Sequence, residues 1–274
     1  VVAVVLLASG LLAAPGARSD APSTTGPGST RIDVTTANVR TGIGGRRARL
    51  DVARAARRAT IVAAQEMWHR RPGEVAPPGW RGFQPTGPIG ACRGNMTLWR
   101  RDVWRRGNAY AYVLNRSTLF PYAPTCATVV ILRNRATGLV VPIVNVHLIP
   151  HVEVAGRPRN LPARIALYRH DMDRVARRAT LIAARRGRVI VGGDWNVDYS
   201  ADRRVRFSAF PYAHLWRRFD THWAKLAPTG PTHGSRRIDA LWWSEAGGFR
   251  PVDSDTIRHT YSDHNFVRLT LTAR

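Results

Sequence analysis

Five short apolar runs in this chain each deliver, or follow closely on, a polar residue able to bind a cation or move a proton. Ile32 to Thr36 leads to Asn38, and Ile61 to Ala64 leads to Glu66. Leu139 to Leu148 carries His147 near its carboxyl end, Val189 to Val191 leads to Asp194 and Asn196, and Asp263-His264 precedes the run that begins at Phe266. Apolar strands of this kind need cover on both faces. With helical patterns between them, the expected architecture is stacked sheets of mixed strands with helices outside. Function is then sought at the strand ends, where loops carry the chemistry.

The most informative run is Arg188-Val-Ile-Val-Gly-Gly-Asp-Trp-Asn-Val-Asp-Tyr199. It reads as a buried strand over Val189–Val191 that stops at Gly192-Gly193 and opens a loop. The glycines there allow a tight turn or a close approach to a ligand. On a still-extended chain Asp194 and Asn196 project to the same side. A carboxylate that only accepts hydrogen bonds, beside an amide that donates and accepts, suits a water and a phosphate oxygen held together. The rival reading of Gly-Asp-x-Asn is a plain Asx turn.

The remaining elements fall between these runs. Arg46 to Thr60 has Leu50, Val52, Ala56 and Ala59 at helical spacing, with its arginines on a solvated face. The glycine-rich stretch Thr41 to Gly45 lacks the lysine and spacing of a P-loop. Trp68 to Ile89 reads as a surface loop and Met96 to Arg100 as a strand. Thr125–Arg133 and Leu139–Leu148 form a hairpin across Asn134-Arg-Ala-Thr-Gly138. A helix runs from Asn160 to about Arg186, with Ile165, Met172, Val175, Ala179 and Ile182 on one face. The aromatic stretch Phe207 to Trp216 is assigned to the core. Arg236 to Trp243 is a strand carrying Asp239, and Ser262-Asp263-His264 sits on a turn before the last strand.

Charge narrows the partners. The 274 residues include 42 Lys and Arg against 18 Asp and Glu, a formal net charge of +24, and Lys225 is the only lysine. Such a surplus favours nucleic acid, anionic lipid or polyphosphate. Arginine-rich usage from a GC-rich coding sequence accounts for arginine over lysine but not for the shortage of acids. Val1 to Ala14 is apolar and uncharged, too short for a comfortable membrane span, and followed by Pro15-Gly16-Ala17. It reads as the hydrophobic part of a secretory signal, with a short membrane anchor as the competing reading. Ser19 to Thr30 is a Pro/Gly/Ser/Thr-rich linker. The expected organisation is therefore signal-like segment and linker over 1–30 and a catalytic domain over 31–274. Cys92 and Cys126, the only cysteines, are a disulfide candidate in an exported chain and too few for structural zinc.

Carboxylates, amides and histidines without free thiolates point to a hard, oxygen-bound cation such as Mg²⁺, with Mn²⁺ or Ca²⁺ as substitutes. The series Asn38 in Ala-Asn-Val-Arg, Glu66 in Ala-Gln-Glu, Gly94-Asn95, His147 in Asn-Val-His-Leu, Asp194 and Asn196 in Gly-Asp-Trp-Asn, Asp239 in Arg-Ile-Asp and Ser262-Asp263-His264 resembles the endonuclease/exonuclease/phosphatase superfamily. The likeness, in the family's order, spans about Arg31 to Leu271. It implies an α+β, four-layer α/β/β/α sandwich like that of deoxyribonuclease I. It also implies that Glu66 binds the divalent metal, with Asn38 and Asp263 contributing directly or through water. Asp194 would orient and deprotonate the attacking water, and Asn196 would hold a phosphate oxygen. His264, oriented by Asp239, would stabilise the transition state or protonate the leaving oxygen. His147 matches the second catalytic histidine of the deoxyribonuclease I branch, although no acidic partner for it stands near Arg93. The Trp-Cys-Asp-Arg motif associated with inositol polyphosphate 5-phosphatases is absent: the chain reads Ser235-Arg-Arg-Ile-Asp239.

In-line attack on a phosphodiester needs an activated water, neutralised oxygen charge and a proton for the leaving group, and this set supplies each. The leading expectation is an exported, metal-dependent phosphodiesterase acting on DNA or RNA as a monomer. A phospholipid or sugar-phosphate hydrolase of the same fold is the alternative, with the Trp68–Trp80 region as its apolar surface. A basic binding module without turnover would require a missing base or metal residue, and none is missing.

Overall fold

The structure, a computed structural model, describes residues 28–87, 90–118, 124–154, 157–226 and 229–274. The apolar leader, all of the linker before Gly28 and Ile89 lie outside them. Strand β1 (Thr30–Asn38) is buried at every position except Arg31, as expected of a strand covered on both faces. After it come α1 (Gly45–Ala56), β2 (Ile61–Gln65), α2 (Pro72–Val75), β3 (Trp80–Phe83), β4 (Met96–Arg100), β5 (Trp104–Asn115), β6 (Thr125–Asn134) and β7 (Val140–His147). A small ribbon, β8 (Glu153–Val154) and β9 (Arg157–Pro158), leads into α3 (Pro162–Arg186). Then follow β10 (Ile190–Asp194), α4 (Tyr199–Val205), α5 (Pro211–Leu215), β11 (Phe219–Thr221) and α6 (His222–Lys225). The chain ends with β12 (Asp239–Ser244), β13 (Phe249–Ile257) and β14 (Phe266–Ala273).

Two six-stranded mixed sheets result, in the orders β13-β14-β1-β2-β4-β3 and β11-β12-β10-β7-β6-β5. Ile32, Val34, Leu269 and Leu271 of the first pack against Val144, Val146, Val191 and Leu241 of the second. The same apolar mass continues to α3 through Ile165, Met172, Val175, Ala179 and Ile182, the face its sequence period predicts. On the other side α1 lays Ala48, Val52 and Ala55 over Ala37, Val62, Ala64, Met96, Leu98 and Phe266. Each large aliphatic side chain buried this way contributes roughly 1.5–3 kcal/mol. Helix, sheet, sheet and helix make the four layers.

Several boundaries differ from the sequence reading, for physical reasons. Helix α1 ends at Ala56 rather than Thr60. The stretch from Trp68 is not all loop, because Trp80–Phe83 pairs with β4 as an edge strand. Strands β5 and β13 carry many exposed polar residues and lack the alternation that marks a half-buried strand. Most consequential, β10 does not stop at Val191. It continues through both glycines to Asp194, in register with β7 and β12.

The glycines serve strand packing rather than a turn. A Cβ at Gly193 would sit 2.0 Å from the Val146 carbonyl oxygen, on the neighbouring backbone. At Gly192 the nearest contact is the movable Leu241 side chain at 2.7 Å. Gly193→Ala should therefore cost about 3 kcal/mol or more in chemical denaturation and Gly192→Ala about 1 kcal/mol. Equal costs would contradict this account of the strand.

Candidate active site

Strand direction explains why the polar residues converge. β1 and β2 run parallel, as do β7 and β10, so Asn38, Glu66, His147 and Asp194 emerge at one end of the two sheets. β12 and β14 run antiparallel to β10 and β1, so Asp239 and the turn bearing His264 enter at that same end. Asp194 is paired in register with His147 on one side and Asp239 on the other.

The Asn38 amide Nδ2 donates to Glu66 Oε1 at 3.1 Å and to Asp194 Oδ2 at 3.0 Å, bridging the two sheets. Glu66 Oε2 accepts the Thr41 backbone N–H at 2.8 Å. Glu66 has φ of 62°, a left-handed conformation that a non-glycine residue adopts at a cost and that clusters at functional sites. It is fixed by Arg70, a buried side chain whose guanidinium donates to the carbonyls of Val39, Arg40, Thr41, Ile43 and Glu66. Burial lowers the Arg70 pKa, and the Glu66 charge opposes that. Among so many arginines nothing in the sequence distinguishes Arg70 from surface decoration.

Asp194 lies where the donors meet. Its Oδ1 accepts the Asn196 backbone N–H at 2.8 Å, and Asn196 has φ of 56°. The chain is therefore not extended here; the Asx turn and the functional placement coexist. Asn196 Nδ2 donates to the Leu148 carbonyl at 2.8 Å, leaving its second N–H available. Tyr168 on α3 braces this turn by donating to the Trp195 carbonyl at 2.6 Å. His147 Nε2 and His264 Nε2 stand 3.5 and 3.9 Å from Asp194 Oδ2. The acidic neighbour that the region of Arg93 does not offer His147 is thus Asp194 itself.

His264 Nδ1 meets Asp239 Oδ2 at 2.8 Å, and the ring of His233 packs against it with centroids 4.7 Å apart. Burial alone would pull the imidazole down. The charge and hydrogen bond of Asp239, with the charges of Asp194 and Asp263, outweigh it and raise the His264 pKa to about 10. Burial pushes Asp239 upward, with the charge of His264 opposing. With three carboxylates around the ring, the proton of this pair resides on His264 at neutral pH. The turn preceding His264 is tied down by Asp51 on α1, a buried carboxylate that accepts the backbone N–H groups of Tyr261 and Ser262 at 2.9 Å. Ser262 Oγ in turn donates to the Asn38 carbonyl at 2.7 Å.

These groups open into a cleft of about 680 Å³ lined by Glu66, Trp68, Asn95, His147, Asp194, Asn196, Asp263 and His264, among others. Asp263 is half-exposed there, with Arg40 NH1 3.6 Å from its Oδ2. The disulfide between Cys92 and Cys126 closes one wall, and Asn95 Nδ2 donates to the Cys126 carbonyl at 2.8 Å. Two buried oxygens in this region have no hydrogen-bond partner, Asn38 Oδ1 and Asp239 Oδ1. An orphaned buried acceptor is a costly feature unless a ligand satisfies it. Asp194, Asp239 and His264 form a buried group that could hold a metal ion. In that group Asp239 and His264 Nδ1 already satisfy each other. The carboxylates of Glu66 and Asp263, which both line the cleft, and the unpartnered Asn38 Oδ1 would be all-oxygen ligands, which suit a hard cation better.

Two packed mixed sheets between helices, with one polar cleft at the strand ends, define a deoxyribonuclease I-like hydrolase fold. Residues 35–264 match the profile of the Endonuclease/Exonuclease/phosphatase family, and the chain belongs to that family. Its members are phosphoric ester hydrolases. An endonuclease/exonuclease/phosphatase family protein from Bacteroides thetaiotaomicron superposes with a TM-score of 0.71 at 17% identity, covering 90% of this chain and 96% of that one. A mannosyl-6-phosphatase from the same organism gives 0.69 at 17% identity, covering 88% and 99%. The catalytic domain of human Nocturnin, with bound sulfate, gives 0.65 at 16% identity, covering 89% and 95%. Comparison with curated protein sequences gives no match. At these identities the likeness is one of fold.

The protonation assignment has a direct readout. The His264 ring nitrogens should report an imidazolium throughout neutral pH by NMR and lose the proton only near pH 10. In Asp239→Asn the partner charge is gone and burial remains, so the titration should move down toward the ordinary histidine range. A wild-type His264 that titrates near pH 6.5 would refute the pairing.

Proposed function

We propose that this chain is an exported, metal-dependent phosphodiesterase that hydrolyses nucleic acid, acting as a monomer through a catalytic domain spanning 31–274. The observation that carries the reading is the meeting of Glu66, His147, Asp194, Asn196 and His264 in one cleft, with Asn38 and Asp239 hydrogen-bonded behind them, from positions more than two hundred residues apart. Glu66 would hold a divalent cation, Mg²⁺ or its substitutes Mn²⁺ and Ca²⁺, with Asn38 Oδ1 and Asp263 beside it. Bound there, the cation would neutralise charge building on the phosphate oxygens.

The protein's own groups do the rest. Asp194 orients the attacking water and accepts its proton, fixed for this by the Asn38 amide and the Asn196 N–H. Asn196 presents its second amide N–H to a phosphate oxygen. His264, held protonated by Asp239, stabilises the developing charge and supplies the proton to the leaving oxygen. His147, its Nε2 3.5 Å from Asp194 Oδ2, would share that task.

The net charge of +24 supports a polyanionic substrate. The disulfide between Cys92 and Cys126 and the apolar leader support export, since such bridges persist in oxidising compartments. Among the described residues no helix is long and apolar enough to cross a membrane. A sugar-phosphate or phospholipid hydrolase is the second reading, favoured by Trp68 on the cleft wall.

Nicking of plasmid DNA should require the divalent metal and be abolished by chelator. Asp194→Ala should lower kcat/KM by about 10²–10⁴, the range for loss of a general base. Turnover of plasmid DNA that survives both treatments would refute the mechanism. Parallel assays on sphingomyelin and a phosphomonoester decide the substrate: preference for either over DNA would favour the second reading.

A further inference from the structure

At the pole opposite the cleft, the sheet edges carry a cluster of arginines that the proposed chemistry does not use. A cavity of about 400 Å³ is lined by Arg81, Arg101, Arg105, Arg106 and Arg135. An adjoining one of about 290 Å³ shares Arg105 and Arg135 and adds Arg133. All six side chains are exposed. They come from edge strand β3, the β4–β5 connection, edge strand β5, the end of β6 and the tip of the β6–β7 hairpin. That tip lies at the start of β7, whereas His147 lies at its end, so the cluster is roughly 20–25 Å from the catalytic groups at the rise of a strand.

The cluster is not balanced internally. Arg105 and Arg133 are direct cross-strand partners, an arrangement that places like charges face to face and costs stability. Arg135 is held toward the others by its Nε bond to the Arg101 carbonyl at 2.7 Å, and Arg133 donates to the Gly138 carbonyl at 3.0 Å. Both bonds go to backbone oxygens, and among the described residues none of the six guanidiniums has an ion pair. The nearby carboxylate of Asp102 is taken by Arg100. Guanidiniums concentrated where the nearby Asp102 is already paired, and part of them fixed in place, form a surface for a chain of phosphates. No exposed large apolar side chain accompanies them: Trp99 and Trp104 are buried, and the exposed large hydrophobics among the described residues lie elsewhere. A membrane surface would find charge there but nothing to insert.

We infer that this arginine cluster is a second nucleic-acid-binding surface, which grips the phosphate backbone without reading bases and retains the polymer away from the cleft. It shares with the proposed function only the nature of the polymer and does not require turnover. The test uses the full chain with chelator, a fluorescein-labelled oligonucleotide and a salt titration. Combined Arg81→Gln, Arg105→Gln and Arg106→Gln should weaken binding about tenfold at low salt and lower the slope of log Kd against log salt by about 2. The same three positions changed to lysine should bind within about threefold of wild type, because a point charge still serves a phosphate.

Since the whole molecule is basic, the control removes equal charge elsewhere, by Arg177→Gln, Arg185→Gln and Arg186→Gln on the exposed face of α3. This control should cost less than about threefold in affinity and little of the salt slope. An equal loss in the control, a loss in the lysine variant equal to that in the glutamine variant, or no loss in the glutamine variant would each overturn the inference. Binding of phosphatidylserine vesicles that depends on these arginines while oligonucleotide binding does not would overturn it too. Hydrolysis of a small chromogenic phosphodiester should be unchanged in the glutamine variant. If that hydrolysis is absent even in wild type while oligonucleotide binding still depends on the cluster, the catalytic reading fails and this one stands.

Discussion

One amide group ties the two sheets together at their working end. Asn38 Nδ2 donates simultaneously to a carboxylate that follows the first sheet's β2 and to one on the second sheet's β10. Two carboxylates brought this close repel unless each is supplied with donors. Glu66 receives the Thr41 N–H, and Asp194 receives the Asn196 N–H. Beneath them Gln65 and Asn145 continue the bridge, with Gln65 Nε2 on Asn145 Oδ1 at 2.7 Å and Asn145 Nδ2 on the carbonyls of Ala64 and Met96 at 2.9 Å. This polar seam through an otherwise apolar interface specifies how the sheets register, since a shifted packing would strand each of these groups without a partner.

The seam also explains which atoms are left over. Where the network is structural, at Gln65 and Asn145, the side-chain polar atoms are paired. Where it reaches the cleft, Asn38 Oδ1 and Asp239 Oδ1 are not. A buried acceptor without a donor costs about 1–3 kcal/mol, and the fold tolerates two of them at this site. The same logic applies to the positive φ of Glu66 and Asn196, which the surrounding hydrogen bonds hold in place.

The sheets and the polar residues at their ends were legible because the signals are local. An apolar run followed by Asn38, Glu66, His147 or Asp194 declares both a strand and its terminus within a few residues. The groups that aim those side chains were not legible, because their roles exist only across the folded chain. Asp51 looks like one more polar residue on an arginine-rich helix until the Tyr261–Ser262 backbone arrives from 210 positions away. Arg70 has no sequence mark until five carbonyls surround it, and Tyr168 reads as a core aromatic until its hydroxyl meets Trp195. Gly192-Gly193 misled in the opposite direction. A glycine pair after an apolar run signals a turn, but the crowding that requires Gly193 comes from the backbone of β7, 47 residues earlier at Val146.

Charge is arranged with opposite signs at two scales. The surface as a whole is strongly basic, so a polyanion is drawn toward the molecule from a distance within the screening length. The cleft is instead lined or underlain by Glu66, Asp194, Asp239 and Asp263. A phosphate cannot approach four carboxylates unless their charge is offset locally. The chain supplies part of that offset itself, through Arg40 beside Asp263 and through an imidazolium at His264. Environment alone decides this protonation: His222, fully buried with no carboxylate at its ring, is pushed down to about 3, whereas His264, nearly as buried but ringed by acids, rises to about 10. The acids therefore do two things at once. They keep His264 charged, and in the proposed mechanism the negative charge they leave would be met by a bound cation.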